Sequence, residues 1–189
     1  SQKLAISALI VMPTTTPGIK VEAVRGFGAE IILHGDSYDE AYAYALTIAE
    51  QQGRIFIHPY DDPEVIAGQG TVAAELMRQH SEPFEAVFIP VGGGGLLAGM
   101  ACYIKHFWPQ TKVIAVEPSD AGSLHAAMAE DDRVVLPQVG LFADGTAVRQ
   151  VGKENFRIAR ETVDDVILVD SDEICAAIMD IFDDTRSIA

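Results

Sequence analysis

The chain has 189 residues, of which 49% are hydrophobic and 22% are charged, a composition typical of a globular protein rather than a disordered one. Its formal net charge of −15 repels the phosphate backbone of nucleic acid, so nucleic acid is excluded as an expected partner. No apolar run has the length needed to cross a bilayer and no signal-peptide pattern is visible, so we expect a cytoplasmic protein without a membrane partner.

Strand and helix patterns alternate along the chain. The predicted strands lie, in chain order, at 8–13, 29–35, 54–60, 85–91, 112–118 and 164–170. The predicted helices lie at 14–28, 36–53, 61–80, 95–107, 121–130 and 171–188. Because the strands are apolar throughout and helices separate them, we predict an α/β fold whose mainly parallel sheets are covered by helices on both faces.

One long stretch, 131–154, lacks a regular pattern. Loops of this length inside a compact domain usually carry function. We therefore expect this stretch to contribute to a site.

Two pairs of reactive side chains have a structural interpretation. Cys102 and Cys175 lie in apolar helical patterns outside any CxxC motif, so we predict buried free thiols. Asp61 and Asp62 open the predicted helix at 61–80, where carboxylates stabilise the positive end of the helix dipole.

Four consecutive glycines, Gly92–Gly95, stand between the fourth predicted strand and the helix that follows it. Ligands of open α/β sheets bind beyond the carboxyl ends of the strands. Without Cβ atoms, successive amides can turn toward one anion, and the helix N-terminus adds partial positive charge. The pattern therefore predicts a phosphate site. A dinucleotide site and a tight turn without a ligand stay open, although the segment is neither a GxGxxG nor a Walker motif.

A family resemblance enters with the segment PVGGGGLLAG, at 90–99, which resembles the phosphate-binding loop of pyridoxal-phosphate (PLP) enzymes of fold type II. Other segments resemble the serine and threonine dehydratases of that family in order and spacing, at 8–35, 56–71, 112–118, 139–148 and 164–178. The resemblance covers essentially the whole chain. It is closest to the biosynthetic threonine dehydratases (threonine ammonia-lyases).

This resemblance implies an architecture and a reaction. We expect two Rossmann-like subdomains truncated at both ends: part of a small, mobile domain at 1–61 and part of the large PLP-binding domain at 62–189. The implied parent protein converts L-threonine to 2-oxobutanoate and ammonia in isoleucine biosynthesis, with PLP as the electron sink. Its expected substrates are L-threonine and L-serine, and its expected assembly is a homo-oligomer, a tetramer.

The resemblance also implies the cofactor site. Gly92, Gly93, Gly94, Gly95 and the amide of Leu96 correspond to the loop that holds the cofactor phosphate, and Gly145 corresponds to a loop beside the cofactor ring. The family's Schiff-base lysine lies in a Ser-x-Lys-x-Arg motif that this sequence lacks. We therefore assign no catalytic residue and expect the chain alone not to deaminate threonine.

A cation site is a further implication of the resemblance. Relatives of serine racemase hold a divalent ion near a segment that matches 117–123 here, and Glu117 and Ala121 keep two of the three ligand positions. Ser123 stands where the third ligand, an aspartate, is expected, and the loss of a carboxylate weakens a hard divalent site. A monovalent ion, a water molecule, or a Glu117 carboxylate bonded only to nearby amides stay open.

Two further readings of the function stay open. One is a sister activity with the same cofactor, such as a serine dehydratase or a serine racemase. The other is a non-catalytic phosphate- or dinucleotide-binding α/β module.

Overall fold

The computed structural model describes residues 2–187. The chain forms two compact units, Ser1–Ile57 and His58–Ala189. This division lies a few residues before the predicted domain boundary at 61. In the described part of the chain, none of the helices combines the length and the apolar character that crossing a membrane requires.

The first unit contains a two-stranded parallel sheet. Strands β1 (Leu9–Met12) and β2 (Glu30–Leu33) pair in register, and helix α1 (Gly18–Gly26) connects them. Helix α2 (Tyr38–Gln52) follows β2 and contacts β1.

Helix α2 has well-defined ends. It begins at a capping box, in which the Ser37 hydroxyl accepts a hydrogen bond from the Glu40 amide and the Glu40 carboxylate accepts one from the Ser37 amide. It ends at Gly53, which has a left-handed backbone. The predicted helix at 36–53 is confirmed. It could be predicted because local sequence signals mark both of its ends.

The predicted third strand, at 54–60, is wrong. This segment has no strand structure, and the side chains of Ile55 and Ile57 are 87% and 64% exposed. A strand requires a hydrogen-bonded neighbour, and in the described residues the sheet of the first unit consists of β1 and β2 alone. The apolar side chains of Ile55 and Ile57 therefore give the sequence a pattern typical of a strand, although the segment does not form one.

The second unit is built on a three-stranded parallel sheet in the order β3-β4-β5. Its regular elements are, in chain order, α3 (Pro63–Gln79), β3 (Ala86–Pro90), α4 (Gly95–Phe107), β4 (Lys112–Pro118), α5 (Ser123–Glu130), α6 (Lys153–Thr162), β5 (Asp165–Val169) and α7 (Ser171–Thr185). The central strand β4 is buried almost throughout, as expected for a strand with neighbours on both sides.

Helix α4 is the centre of the core of this unit, and it contacts α3, α6, β3 and β4. Seven large apolar side chains of the core are buried to 2% exposure or less: Ile89, Val91, Leu97, Ile104, Val113, Leu124 and Val151. Because α4 is buried along most of its length, the loop at its N-terminus is held in a fixed position relative to the sheet.

Two expectations for the second unit need correction. The stretch at 131–152 is irregular apart from a 3₁₀ turn at Asp144–Thr146, but helix α6, which no predicted element covered, begins at Lys153. The cysteines, Cys102 and Cys175, are free but exposed rather than buried, because the described residues leave their side chains accessible on α4 and α7.

Candidate functional site

The glycine loop, residues 92–95, connects the carboxyl end of β3 to the first turn of α4. Gly94 precedes the helix with a φ of 92°, a left-handed conformation that side chains rarely adopt, and it offers no side chain to cap the helix. The loop therefore requires glycine here for its backbone conformation.

The backbone amides of this loop have no hydrogen-bond acceptor in the part of the chain that the structure describes. The backbone N–H groups of Gly92–Leu96 donate no hydrogen bond to any other described residue. The first intrahelical bond of α4 runs from the amide of Ala98 to the carbonyl of Gly94, at 2.9 Å. A run of unpaired donors at the positive end of a helix is the arrangement that binds an anion.

The other helices of the second unit have carboxylates at their N-termini. Among the described residues, Asp62 accepts hydrogen bonds from first-turn amides of α3, Glu117 from those of α5, Asp61 from those of α6 and Asp170 from that of α7. Helix α4 alone among them begins without an acid. The partial positive charge at the N-terminus of α4 is therefore available to interact with an external anion or with water.

The aromatic ring of Tyr60 packs directly beneath the loop. A Cβ atom added to Gly93 would lie 2.3 Å from Cγ of Tyr60, and one added to Gly95 would lie 2.9 Å from the Tyr60 carbonyl oxygen. Since real side chains do not approach so closely, glycine is required at both positions for packing.

The structure brings the two sets of predicted cofactor residues together. A Cβ atom on Gly92 would lie 3.0 Å from Cα of Thr146 and 3.3 Å from the carbonyl oxygen of Gly145. The 3₁₀ turn that contains Gly145 therefore lies beside the glycine loop, although more than fifty positions separate them in the sequence.

The carbonyl of Gly93 is held by two donors from the start of α6. It accepts hydrogen bonds from the amide of Gly152 at 3.0 Å and from Nδ2 of Asn155 at 2.8 Å. The same Nδ2 donates to the carbonyl of Tyr60 at 2.9 Å, and the Asn155 side chain is 1% exposed. Its Oδ1 is buried without a hydrogen-bond partner among the described residues.

Asp61 fixes the start of α6. Its carboxylate accepts hydrogen bonds from the amides of Lys153 at 2.7 Å and Glu154 at 2.9 Å, so it caps a helix that lies about ninety residues along the chain. The expectation that Asp61 and Asp62 both belong to the first turn of one helix is therefore wrong for Asp61. Asp62 does cap α3, as the sequence suggested.

Tyr60, Asp61 and Asn155 are parts of the site that the sequence did not reveal. The available signal was the segment at 152–162, where Phe156 and Ala159 show helical spacing after a glycine. An asparagine beside buried apolar residues in such a helix must find hydrogen-bond partners.

Glu117, the predicted cation ligand, is fully buried at the end of β4. Its two carboxylate oxygens accept hydrogen bonds from the amides of Leu124 and His125, each at 2.8 Å. Burial raises the pKa of this carboxyl above its usual range, and the hydrogen bonds from these amides partly oppose that effect.

Ala121, the other predicted cation ligand, is buried, and its carbonyl accepts a hydrogen bond from the amide of Ser123. In the part of the chain that the structure describes, no group of three or more His, Cys, Asp or Glu side chains could hold a metal ion. The cation site at Glu117 and Ala121 stays a prediction.

Comparison with known proteins identifies the class. The family of pyridoxal-phosphate dependent enzymes matches residues 1–188. The chain belongs to this family.

Among curated proteins, the chain is 54% identical to a biosynthetic L-threonine dehydratase of Escherichia coli and 53% identical to a chloroplastic biosynthetic threonine dehydratase of Arabidopsis thaliana. Both alignments cover 100% of this chain. It spans 37% of the bacterial relative and 32% of the plant relative, so it corresponds to about a third of their length.

Solved structures agree with the fold. A processed threonine deaminase isoform 2 from Solanum lycopersicum superposes with a TM-score of 0.93 at 49% identity, over 99% of this chain and 51% of that one. A serine racemase from Dictyostelium discoideum does so with a TM-score of 0.86 at 32% identity, over 98% and 59%. The predicted fold class, α/β with two parallel sheets of a fold type II PLP enzyme, is confirmed.

Replacing Gly93 by alanine tests the packing beneath the loop. We expect Gly93→Ala to lower the free energy of unfolding by about 2–3 kcal/mol, because the new methyl group overlaps the Tyr60 ring. Chemical denaturation measures this. The matched control is Gly68→Ala in α3, where nothing lies within 4 Å of the added Cβ and stability should be unchanged or increased. Equal effects of the two substitutions would contradict the packing argument.

The burial of Glu117 predicts that the stability of the fold depends on pH. Because its pKa is raised in the folded state, that state binds more protons than the unfolded chain just above the ordinary value of 4.5, and stability should fall as pH rises through this window. We expect Glu117→Gln to remove this part of the pH profile, as measured by urea denaturation at several pH values.

The control for this measurement is Glu130→Gln, at the exposed end of α5. It removes a carboxyl of the same type from an exposed position. A Glu117→Gln profile that runs parallel to that of the unchanged chain would show that the Glu117 carboxyl does not contribute to the slope.

Proposed function

We propose that this chain is the central part of a PLP-dependent L-threonine ammonia-lyase, which converts threonine to 2-oxobutanoate and ammonia in isoleucine biosynthesis. The observation that carries the proposal is the loop of unpaired amides at 92–96, at the only helix N-terminus among those described in the second unit that has no carboxylate. The threonine dehydratases that share 53–54% of its residues support the choice of substrate.

The residues of the loop fit the phosphate group of the cofactor. A phosphate monoester carries up to two negative charges, and the loop offers several N–H donors, a helix dipole and no side chain that would obstruct an approach. The overall charge of −15 would disfavour anions, so binding depends on these local donors. PLP, when bound, supplies a conjugated ring that stabilises negative charge at the substrate α-carbon.

In this proposal, the residues of this chain bind and orient rather than transfer protons. Gly92–Leu96 would hold the phosphate, and the turn with Gly145, which packs against Gly92, would help to shape the same site. The chain's five lysines lie outside the motif of the family's cofactor-binding lysine. We therefore assign no catalytic residue to this chain and expect no threonine deamination from it alone.

Several finer features belong to the same proposal. Residues 1–61 form part of the small domain and residues 62–189 part of the large one. The whole protein acts on L-threonine, and on L-serine as a second substrate, as a cytoplasmic homo-oligomer, a tetramer. A monovalent or divalent cation binds at Glu117 and Ala121.

A sister activity on serine is the second candidate. The likeness to the Dictyostelium discoideum serine racemase, at 32% identity, supports it, but the higher identity to threonine dehydratases favours threonine. The two candidates predict different products from the same assay.

The test is an assay of the complete protein that contains this chain, purified with PLP and supplied with L-threonine or L-serine. We expect 2-oxobutanoate from threonine to form faster than pyruvate from serine, as followed with a lactate dehydrogenase coupled assay. Pyruvate or D-serine as the main product would support the sister activity instead. No turnover of either amino acid, with PLP bound, would contradict both.

A further inference from the structure

We propose that Asn155 is the positioning residue of the glycine loop: its side-chain amide holds the carbonyl of Gly93 and so aims the amide of Gly94 at the bound phosphate. The proposal rests on the proposed function, because it takes the loop to be the phosphate site. It adds a residue outside the loop, on helix α6, on which that site depends.

The geometry of the peptide group links the direction of the Gly93 carbonyl to the direction of the Gly94 amide. All peptide bonds described here are trans, and in a trans peptide the C=O and the N–H point in opposite directions within one plane. The carbonyl of Gly93 and the amide of Gly94 belong to the same peptide group. Because Asn155 and Gly152 hold that carbonyl on the side of α6, the Gly94 amide must point away from α6.

An unheld loop would not keep this orientation. Glycine has wide conformational freedom, so a peptide between two glycines can rotate at little steric cost. A rotation would turn the Gly94 amide inward and expose a carbonyl oxygen, which repels an anion. Two hydrogen bonds to the carbonyl of Gly93, at 2.8 and 3.0 Å, oppose that rotation.

The side chain of Asn155 suits this task because a primary amide has two N–H donors on one nitrogen. One donor goes to the Gly93 carbonyl and the other to the Tyr60 carbonyl, so the loop and the residue packed beneath it are tied to one atom. The site is almost fully buried, where water cannot replace either bond.

Asp61 in turn sets the place of Asn155. Asn155 is the third residue of α6, and Asp61 binds the amides of the first two, Lys153 and Glu154. The carboxylate also satisfies the positive end of α6, so α6 does not compete with α4 for the phosphate.

The test compares two variants of the second unit, each of which removes the hydrogen bonds that one buried side chain donates. Asn155→Leu has a similar volume and no donor. Thr111→Val, the matched control, removes the bond from the fully buried Thr111 hydroxyl to the carbonyl of Phe84, at 2.7 Å. Each ¹⁵N-labelled 189-residue chain is titrated with inorganic phosphate, and the shift of the Gly94 amide resonance gives the dissociation constant.

We expect Asn155→Leu to weaken phosphate binding by about tenfold, the scale of one charge-assisted hydrogen bond, and to shift the Gly94 resonance of the free chain. Thr111→Val should leave both unchanged, even where it lowers the unfolding temperature as much. If Asn155 only stabilised the fold, the two variants would show the same phosphate affinity and the same Gly94 resonance.

Two results would overturn the proposal, and they have different consequences. If Asn155→Leu binds phosphate as the unchanged chain does while Gly93→Ala does not, the loop binds phosphate but Asn155 does not position it. If the Gly94 resonance of the unchanged chain does not respond to phosphate, the phosphate role of the loop fails as well.

A measurement on the unchanged chain decides the matter if Asn155→Leu does not fold. Because coupling between two sites is reciprocal, phosphate binding should slow the exchange of the Asn155 side-chain amide protons with solvent. Exchange that is the same with and without saturating phosphate would overturn the proposal.

Discussion

The carbonyl oxygen of Gly93 is the point on which the candidate site depends. It receives hydrogen bonds from Gly152 and Asn155, and the Tyr60 ring occupies the space where a side chain at position 93 would stand. Through these contacts, the segment before α3, the start of α4 and the start of α6 are joined around one peptide group. The loop is therefore held from its protein side, while its amides keep their hydrogen-bonding capacity for a ligand.

The carboxylates at the helix N-termini also leave the glycine loop available for a ligand. In a chain with a net charge of −15, carboxylates are abundant, and four of the helices described in the second unit use them at their N-termini. Helix α4 is instead preceded by Gly94, whose backbone conformation would be strained for any residue with a side chain. The glycine loop thus gives α4 no side-chain cap and leaves backbone N–H donors available. Both effects favour the binding of an external anion.

Much of the fold could be predicted because its signals are local. Ser37, Gly53 and Asp62 mark helix ends within a few residues, and the glycine loop stands out as a run. The partners of that loop could not be predicted in the same way. Asn155 lies 62 positions beyond Gly93, and no local pattern connects the two residues. The false strand near Ile55 and the exposed cysteines have a related cause, since apolar patterns do not show whether a neighbouring element covers them.

The central claim is that the amides of Gly92–Leu96 form the phosphate site of a PLP enzyme. A crystal structure of the complete protein with PLP tests it most directly. The account predicts phosphate oxygens within about 3 Å of at least two of these amides, with the Gly93 carbonyl still bonded to Asn155. A cofactor phosphate bound elsewhere, with these amides facing water, would contradict it.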